Sequence, residues 1–182
     1  MKKKALGPST LVFPLPCVLV SSGIEGKDAN ISTMSYVSIV NGQPPMLSVS
    51  VRPSRRTHAL ITSHGFFGVN VPTVDILPEV NEAGMISGAD EDKFDGLLLT
   101  PFSGTVTGVA LIAECPIALE CRLVKTIDLP THTLFIGEVV ETYADNELFR
   151  DNRLMPGPNR FVCYGANSYW TVGTRMAVPR GE

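Results

Sequence analysis

The chain carries little charge for its length. Charged residues make up 18% of the 182 residues, hydrophobic residues make up 44%, and the formal net charge is −3. Apart from the three lysines at positions 2–4 there is no basic run, so the sequence lacks the electrostatic surface that nucleic-acid binding requires. So thinly charged a surface is typical of a protein that covers part of itself with a second subunit. We therefore expect a homo-oligomer without a nucleic-acid partner.

The marks of secretion and of membrane insertion are also missing. The four cysteines, at positions 17, 115, 121 and 163, form no Cys-x-x-Cys pair, and a chain of this length needs no disulfide to hold its core. Pro8, Pro14 and Pro16 interrupt the N-terminal apolar stretch that otherwise imitates a signal peptide. No segment reaches the roughly 20 apolar residues of a membrane-spanning helix. These absences predict a cytoplasmic protein with no membrane segment.

Several enzyme motifs are absent as well. No G-x-G-x-x-G follows a predicted strand, and the sequence contains neither G-x-S-x-G nor H-E-x-x-H. His58 and His64 have no carboxylate or cysteine at metal-ligand spacing, so we predict no metal site. Cys115 and Cys121 are expected to be small core residues. An enzyme without these groups would take its chemistry from a bound cofactor.

What the sequence does contain is a series of strand-like segments rich in Val, Ile, Thr and aromatic residues. They lie at 11–13, 17–21, 30–40, 46–51, 66–71, 117–127 and 133–143, and short helices are predicted at 57–63, 73–82 and 91–97. This pattern predicts a mainly β protein, a mostly antiparallel barrel in which the helices are crossovers. We expect a single domain over 1–182, with an extended C-terminal tail at 145–182.

The segment 117–127 predicts one of these strands in detail. Ile117, Leu119 and Cys121 alternate with polar positions and share one face, while Glu120 and Arg122 point to the other face. We therefore expect a half-buried antiparallel strand.

Three arginines, a serine and a threonine lie within six residues at the end of the strand 46–51. In SVRPSRRT (50–57), Pro53 fixes a turn and Thr57 occupies the expected N-cap position of the next helix. The free N–H groups of a helix N-terminus and the paired nitrogens of a guanidinium both suit phosphate oxygens. Two interpretations stay open at this point: a phosphate site formed by Arg52, Ser54, Arg55 and Thr57, or a solvated turn with a helix cap.

A longer stretch favours the phosphate site. NISTMSYVSIVNGQPPMLSVSVRPSRRT (30–57) is followed by FGVNVP (67–72), SGADEDKF (87–94), ALECRLV (118–124) and HTLFIGEVV (132–140). In this order and spacing the segments resemble the flavin reductase-like family of FMN-binding split barrels, and in particular its flavoredoxin branch. The resemblance covers roughly residues 6–145. It implies a six-stranded Greek-key barrel that pairs as a homodimer, with FMN near the subunit interface.

The resemblance also implies which residues would bind the cofactor. Those that would line the isoalloxazine ring and the ribityl chain are Asn30, Ser32, Thr33, Met34 and Ser35. Those that would hold the phosphate are Arg52, Ser54, Arg55 and Thr57. Lys93 would lie near the flavin, and His132 would face its nicotinamide side as the one catalytic candidate.

The implied function is an oxidoreductase that accepts a hydride from NADH or NADPH on FMN and passes electrons or reduced flavin to an acceptor. The alternative within the same family is a flavoredoxin-type carrier that exchanges electrons with a redox partner protein and does not use the nicotinamide directly. A third possibility is a barrel that dimerises without binding flavin.

The sequence departs from the family pattern in two places. Tyr36 stands where flavoredoxin-like members often have tryptophan, and NSYWTVG (167–173) stands where a YY-x-x-G ending is expected. The aromatic pair Tyr169 and Trp170 is therefore as consistent with core or dimer packing as with a substrate wall.

Overall fold

The computed structural model describes residues 2–89, 91–150, 153–155, 157 and 160–173. Asp90 of the SGADEDKF motif and part of the predicted tail lie outside these residues. Within them, no helix combines the length and the hydropathy that a bilayer crossing needs.

The described part of the chain contains fourteen strands and three short α-helices. The strands of the first half are β1 Leu15–Pro16, β2 Val18–Ser22, β3 Asn30–Met34, β4 Val37–Gly42, β5 Pro45–Val51 and β6 Phe66–Val71. Those of the second half are β7 Pro101–Ser103, β8 Ala110–Ile112, β9 Ile117–Asp128, β10 Thr133–Ala144, β11 Phe149–Arg150, β12 Arg153–Leu154, β13 Val162–Gly165 and β14 Ser168–Thr171. The helices are α1 Arg56–His64, α2 Leu77–Met85 and α3 Lys93–Gly96, and 3₁₀ turns lie at Val74–Ile76 and Asn146–Leu148.

Seven strands form the main sheet in the order β3-β2-β6-β9-β10-β5-β4, and every neighbouring pair is antiparallel. The strands at the two ends of this order, β3 and β4, are consecutive in the chain and are joined by Ser35 and Tyr36 alone. A sheet whose edges are tied two residues apart has to curl on itself. The result is the predicted split barrel, open between β3 and β4.

Two of the predicted strands differ from the observed ones. The prediction of a strand at 11–13 is wrong, because Leu11, Val12 and Phe13 are exposed and the first pairing begins at Leu15, opposite Tyr164. The predicted strand 30–40 is two strands, since the chain leaves β2 at residue 34 and crosses to β5. This crossing is why the sheet has seven strands and not six.

The predicted helices are present with shifted bounds. The first extends to Arg56–His64, and the third is shorter, at Lys93–Gly96. The second is a 3₁₀ turn followed by Leu77–Met85, in which Pro78 lies in the first turn and so does not interrupt the helix.

Hydrophobic clusters lie on both faces of the sheet. On β2, Val18 and Val20 belong to the cluster inside the barrel, while Leu19 belongs to a second cluster outside it. This division follows from the two-residue period of a strand. Val80 of α2 and Phe94 of α3 pack into the outer cluster, so these helices cover the face of the sheet that is turned away from the barrel.

Strand β9 differs from the predicted half-buried strand at Glu120, which lies on the polar face of the pattern but is fully buried. Its carboxylate accepts hydrogen bonds from the backbone N–H (2.7 Å) and the hydroxyl (2.8 Å) of Thr107, from the Val106 N–H (3.2 Å) and from the Tyr143 hydroxyl (2.6 Å). Burial alone would raise the pKa of Glu120, but the hydrogen bonds from Tyr143, Thr107 and Val106 outweigh it and lower the pKa. Glu120 therefore anchors the loop between β7 and β8.

Candidate functional site

A cleft of about 590 Å³ lies where β3 passes into β4, at the opening of the barrel. We call it the main cleft. Its walls come from the end of β3 with its linker, the end of β5, α2, the start of β10 and the β13–β14 hairpin. An antiparallel barrel brings these segments together because β3 and β4 close it at opposite edges of one sheet.

A smaller cavity of about 290 Å³ adjoins the main cleft at the start of α1. We call it the arginine cavity, since Arg55 and Arg56 line it. Ser32 and Arg55 line both spaces, so the two lie side by side.

All eleven residues predicted for the site line one of these two spaces. Those in the main cleft are Ser32, Thr33, Met34, Ser35, Arg52, Arg55 and His132. Those in the arginine cavity are Asn30, Ser32, Ser54, Arg55, Thr57 and Lys93.

The prediction that Thr57 caps α1 is wrong. The N-cap is Arg55, whose carbonyl accepts a hydrogen bond from the backbone N–H of His58 (2.9 Å). The backbone N–H of Arg55 donates to the Arg52 carbonyl (3.0 Å), which lies before the helix. Thr57 lies inside the first turn, where it is buried and its hydroxyl accepts a hydrogen bond from Asn30 Nδ2 at 2.9 Å. No side chain caps the helix and no acidic residue lies in its first turn. The positive end of the helix dipole therefore has no anionic partner in its own first turn.

Arg52 and Arg55 add charge at this helix end. Both are exposed, and within the described part of the chain the one ion pair found joins His64 to Asp28 at 2.8 Å. Arg56 differs, because its guanidinium donates to the Gly88 carbonyl. Two guanidinium groups without a carboxylate partner, next to an uncapped helix N-terminus, form a site suited to a phosphate.

Two buried polar groups border the arginine cavity. Asn30 is 2% exposed, and in the described structure its Oδ1 has no hydrogen-bond partner. Lys93 is 4% exposed, and its Nζ donates to the Ala83 carbonyl at 2.7 Å. Burial, together with the charge of Arg55, lowers the pKa of Lys93 to about 8. An acceptor without a donor and an ammonium with further protons to donate both suit a polar ligand.

Gly88 keeps the space beside Asn30 open. A Cβ at this position would lie 1.8 Å from Asn30 Oδ1, so a larger residue would displace the amide. Since the Gly88 carbonyl also accepts from Arg56, this glycine contributes both space and an acceptor to the cavity wall.

Aromatic side chains form part of the main cleft. The rings of Tyr36 and His132 are 5.6 Å apart, and His132 Nδ1 is 2.9 Å from the Thr131 hydroxyl oxygen. Tyr164 and Asn167 reach the cleft from the β13–β14 hairpin, which turns through positive φ angles at Ala166 and Asn167. Local sequence does not predict a site role for Tyr164 or Asn167, because the asparagine indicates a turn but not where the hairpin docks.

The two tail aromatics have different surroundings. Tyr169 lines a cavity beside the main cleft, and its hydroxyl donates to Asn81 Oδ1 at 3.3 Å. Trp170 is 48% exposed, packs edge-on against Phe13 with centroids 5.4 Å apart, and donates its indole N–H to the Gly165 carbonyl at 3.0 Å. Trp170 therefore lies outside the main cleft.

The four cysteines are free and buried, as expected for core residues. Burial, with a smaller contribution from Cys163, raises the pKa of Cys17 to about 12, and burial with the nearby Glu120 raises that of Cys121 to about 12. Burial also raises the pKa of Cys115. Thiols in such surroundings stay protonated and react slowly.

Comparisons with known proteins agree with this geometry. The model of the flavin reductase like domain matches residues 10–161. The structure is similar to the flavoredoxin of Desulfovibrio vulgaris (Miyazaki F), with a TM-score of 0.89, 34% identity and 97% of each chain covered. It shares its fold with an FMN-binding protein from Thermus thermophilus, with a TM-score of 0.84, 24% identity and coverage of 98% and 99%.

A curated relative comes from Archaeoglobus fulgidus. The chain is 29% identical to its ferric-chelate reductase (NAD(P)H) over 126 residues, which are 63% of this chain and 73% of that protein. Since the family model matches most of the chain and the split barrel agrees with it, the protein belongs to the flavin reductase-like family.

Proposed function

We propose that the protein is an FMN-dependent oxidoreductase that takes a hydride from NADH or NADPH and passes electrons or reduced flavin to an acceptor. The observation that carries the proposal is the uncapped start of α1 beside the main cleft, where Arg52 and Arg55 have no carboxylate partner among the described residues. The Thermus thermophilus neighbour is named for FMN and the Archaeoglobus fulgidus relative for NAD(P)H, which supports the choice of both molecules.

The residues present fit FMN. The phosphate would lie at the start of α1, where the arginine cavity adjoins the main cleft, held by Arg52 from the side of the main cleft and by Ser54, Arg55 and Thr57 from the arginine cavity. The isoalloxazine ring and the ribityl chain would lie along β3 against Asn30, Ser32, Thr33, Met34 and Ser35. Thr33 is fixed for this because its hydroxyl donates to the Val80 carbonyl, and Asn30 Oδ1 is free to accept from the ligand. Bound FMN would supply the redox chemistry.

Lys93 and His132 would act from opposite ends of this arrangement. The Lys93 ammonium lies in the arginine cavity and would favour the anionic, reduced form of the cofactor by its charge. His132 lies in the main cleft beside Tyr36, where it would contact the nicotinamide. Replacing His132 by alanine should then slow reduction by the nicotinamide without changing FMN affinity.

A second function is favoured by one specific comparison. The likeness to a flavoredoxin, at 34% identity and a TM-score of 0.89, supports an FMN electron carrier that exchanges electrons with a partner protein. The main cleft opens to solvent at Tyr36, which is 47% exposed, so a bound flavin would also be within reach of such a partner.

We also propose that the protein is a homodimer. Strand β4 lies at the edge of the sheet with Ile39 83% and Val40 48% exposed. An edge strand with exposed apolar side chains pairs readily with another chain. Because Tyr36 immediately precedes β4 and lines the main cleft, a second copy on this edge would lie beside the flavin. In the same proposal the protein is one domain and works in the cytoplasm, where its four thiols stay reduced.

An anaerobic titration separates the two functions. The FMN-loaded protein is mixed with NADH and then with NADPH. The measurement follows the absorbance of the oxidised flavin at about 450 nm. Rapid bleaching by either nicotinamide supports the reductase and names its donor. A flavin band that persists until dithionite is added contradicts the reductase and supports the carrier.

A further inference from the structure

A further cavity adjoins the main cleft, and none of the described residues that line it is charged. This side cavity has a volume of about 270 Å³. It shares the end of β3 and the β13–β14 hairpin with the main cleft, and it extends to Asn81, Met85 and Tyr169. Its lining contains no Asp, Glu, Lys, Arg or His from the part of the chain that the structure describes, whereas Arg52 and Arg55 line the main cleft. The two spaces therefore suit ligands of different charge.

The side cavity offers a hydrogen-bond donor together with tyrosine rings and methionine side chains. Asn81 is exposed, and its Oδ1 accepts a hydrogen bond from the Tyr169 hydroxyl. Among the described residues, Asn81 Nδ2 donates no hydrogen bond, so it is free to donate to a ligand. Tyr164 packs edge-on against Tyr169 with centroids 5.4 Å apart, and Met85 is 78% exposed at the mouth. Burial, with Cys17 and Tyr164 nearby, raises the pKa of Tyr169, so this phenol keeps its proton at neutral pH. An amide donor between aromatic and thioether groups suits a planar molecule with a carbonyl oxygen.

We propose that the side cavity binds the electron acceptor, and that this acceptor is an uncharged quinone of one or two rings. The inference rests on the proposed function, because the acceptor has to contact the flavin where the two spaces meet. The side-cavity volume of about 270 Å³ is large enough for a small ring system. A charged acceptor, such as an anionic iron chelate, would lose its hydration there without meeting an opposite charge.

The reaction balances without a further reductant. Reduction of the quinone to the hydroquinone takes a hydride and one proton. FMN reduced by NADH or NADPH would supply the hydride and so be reoxidised, and water would supply the proton. Asn81 Nδ2 would donate to the quinone oxygen on which negative charge develops during the transfer.

Binding to the oxidised, FMN-saturated protein tests the assignment without turnover. Isothermal titration calorimetry would compare naphthoquinone with naphthoquinone sulfonate, which differ by one negative charge. We expect the neutral quinone to bind about tenfold more tightly, or better. Asn81→Asp should weaken naphthoquinone binding by about tenfold through a charge in the cavity wall, with FMN affinity unchanged. Asn146→Asp, an exposed asparagine outside the cavity, is the matched control and should change neither affinity.

The outcomes separate this inference from the function on which it rests. Equal binding of the two quinones, or naphthoquinone binding that Asn81→Asp leaves unchanged, overturns the acceptor site while FMN binding stands. A wild-type protein that takes up no FMN overturns the proposed function and the acceptor site with it.

Discussion

Replacing Arg52 by alanine tests whether the start of α1 binds the phosphate of FMN. Arg52 is exposed and forms no ion pair with a described carboxylate, so its truncation removes a charge without breaking a contact of the fold. Thr57 is a poorer choice because its buried hydroxyl also accepts from Asn30. The change in affinity for Arg52→Ala can therefore be attributed to the ligand.

The expected magnitude follows from the bond that is lost. A hydrogen bond to a charged group contributes about 1.5–3 kcal/mol, which corresponds to a loss of FMN affinity of about 10- to 150-fold. Riboflavin has the same ring and ribityl chain but no phosphate. Its affinity should change by less than about twofold, since the ring site on β3 is untouched.

The assay is a fluorescence titration of the flavin-free protein with FMN and with riboflavin. Arg122→Ala is the matched control, because Arg122 is exposed on β9 and lines neither the main cleft nor the arginine cavity. An Arg52→Ala protein that loses affinity equally for FMN and riboflavin would refute the phosphate assignment, as would one that loses affinity for neither.

Three further predictions concern the rest of the molecule. Glu120→Gln should lower the free energy of unfolding by about 1.5–3 kcal/mol at neutral pH, since a charged acceptor of several hydrogen bonds is lost. Because folding lowers the pKa of Glu120, its stabilisation is fully present above the unfolded value of about 4.3 and falls as pH drops through the folded pKa. Urea unfolding of both proteins should show the difference shrinking below about pH 4. FMN affinity should fall as pH rises through about 8, where Lys93 loses its proton. In a titration between about pH 6 and 9, Lys93→Met should flatten this pH dependence. An unchanged pH dependence in Lys93→Met would show that Lys93 does not contact the ligand. Ile39→Lys should convert the proposed dimer to a monomer in sedimentation analysis; an unchanged mass would place the interface elsewhere.

Much of the fold could be predicted from local sequence patterns. The segment 66–71 is bounded by turn residues and forms β6 with the same bounds, and the two long strands at 117 and 133 begin where predicted. The break at Ser35 and Tyr36 could not be found in this way, since residues 30–40 have continuous strand propensity. Only the closing of the barrel makes the chain leave one edge of the sheet for the other.

The candidate site could also be predicted only in part. The motif around Arg52 and Thr57 predicts a site at the arginine cavity, but the role of each residue there depends on tertiary contacts. Thr57 bonds to Asn30, 27 residues away, and is therefore not the cap that local pattern predicts. In the alternating pattern of β9, Glu120 occupies a position on the polar face, but it is buried because a distant loop covers it. Tyr164 and Asn167 reach the main cleft through a hairpin whose docking no local signal specifies.

A crystal structure of the FMN complex tests the central claim most directly. The account predicts the phosphate within hydrogen-bond distance of Arg52 and Arg55 at the start of α1, and the isoalloxazine ring in the main cleft along β3. FMN bound elsewhere on the barrel, or bound in the cleft with its phosphate directed away from α1, would contradict it.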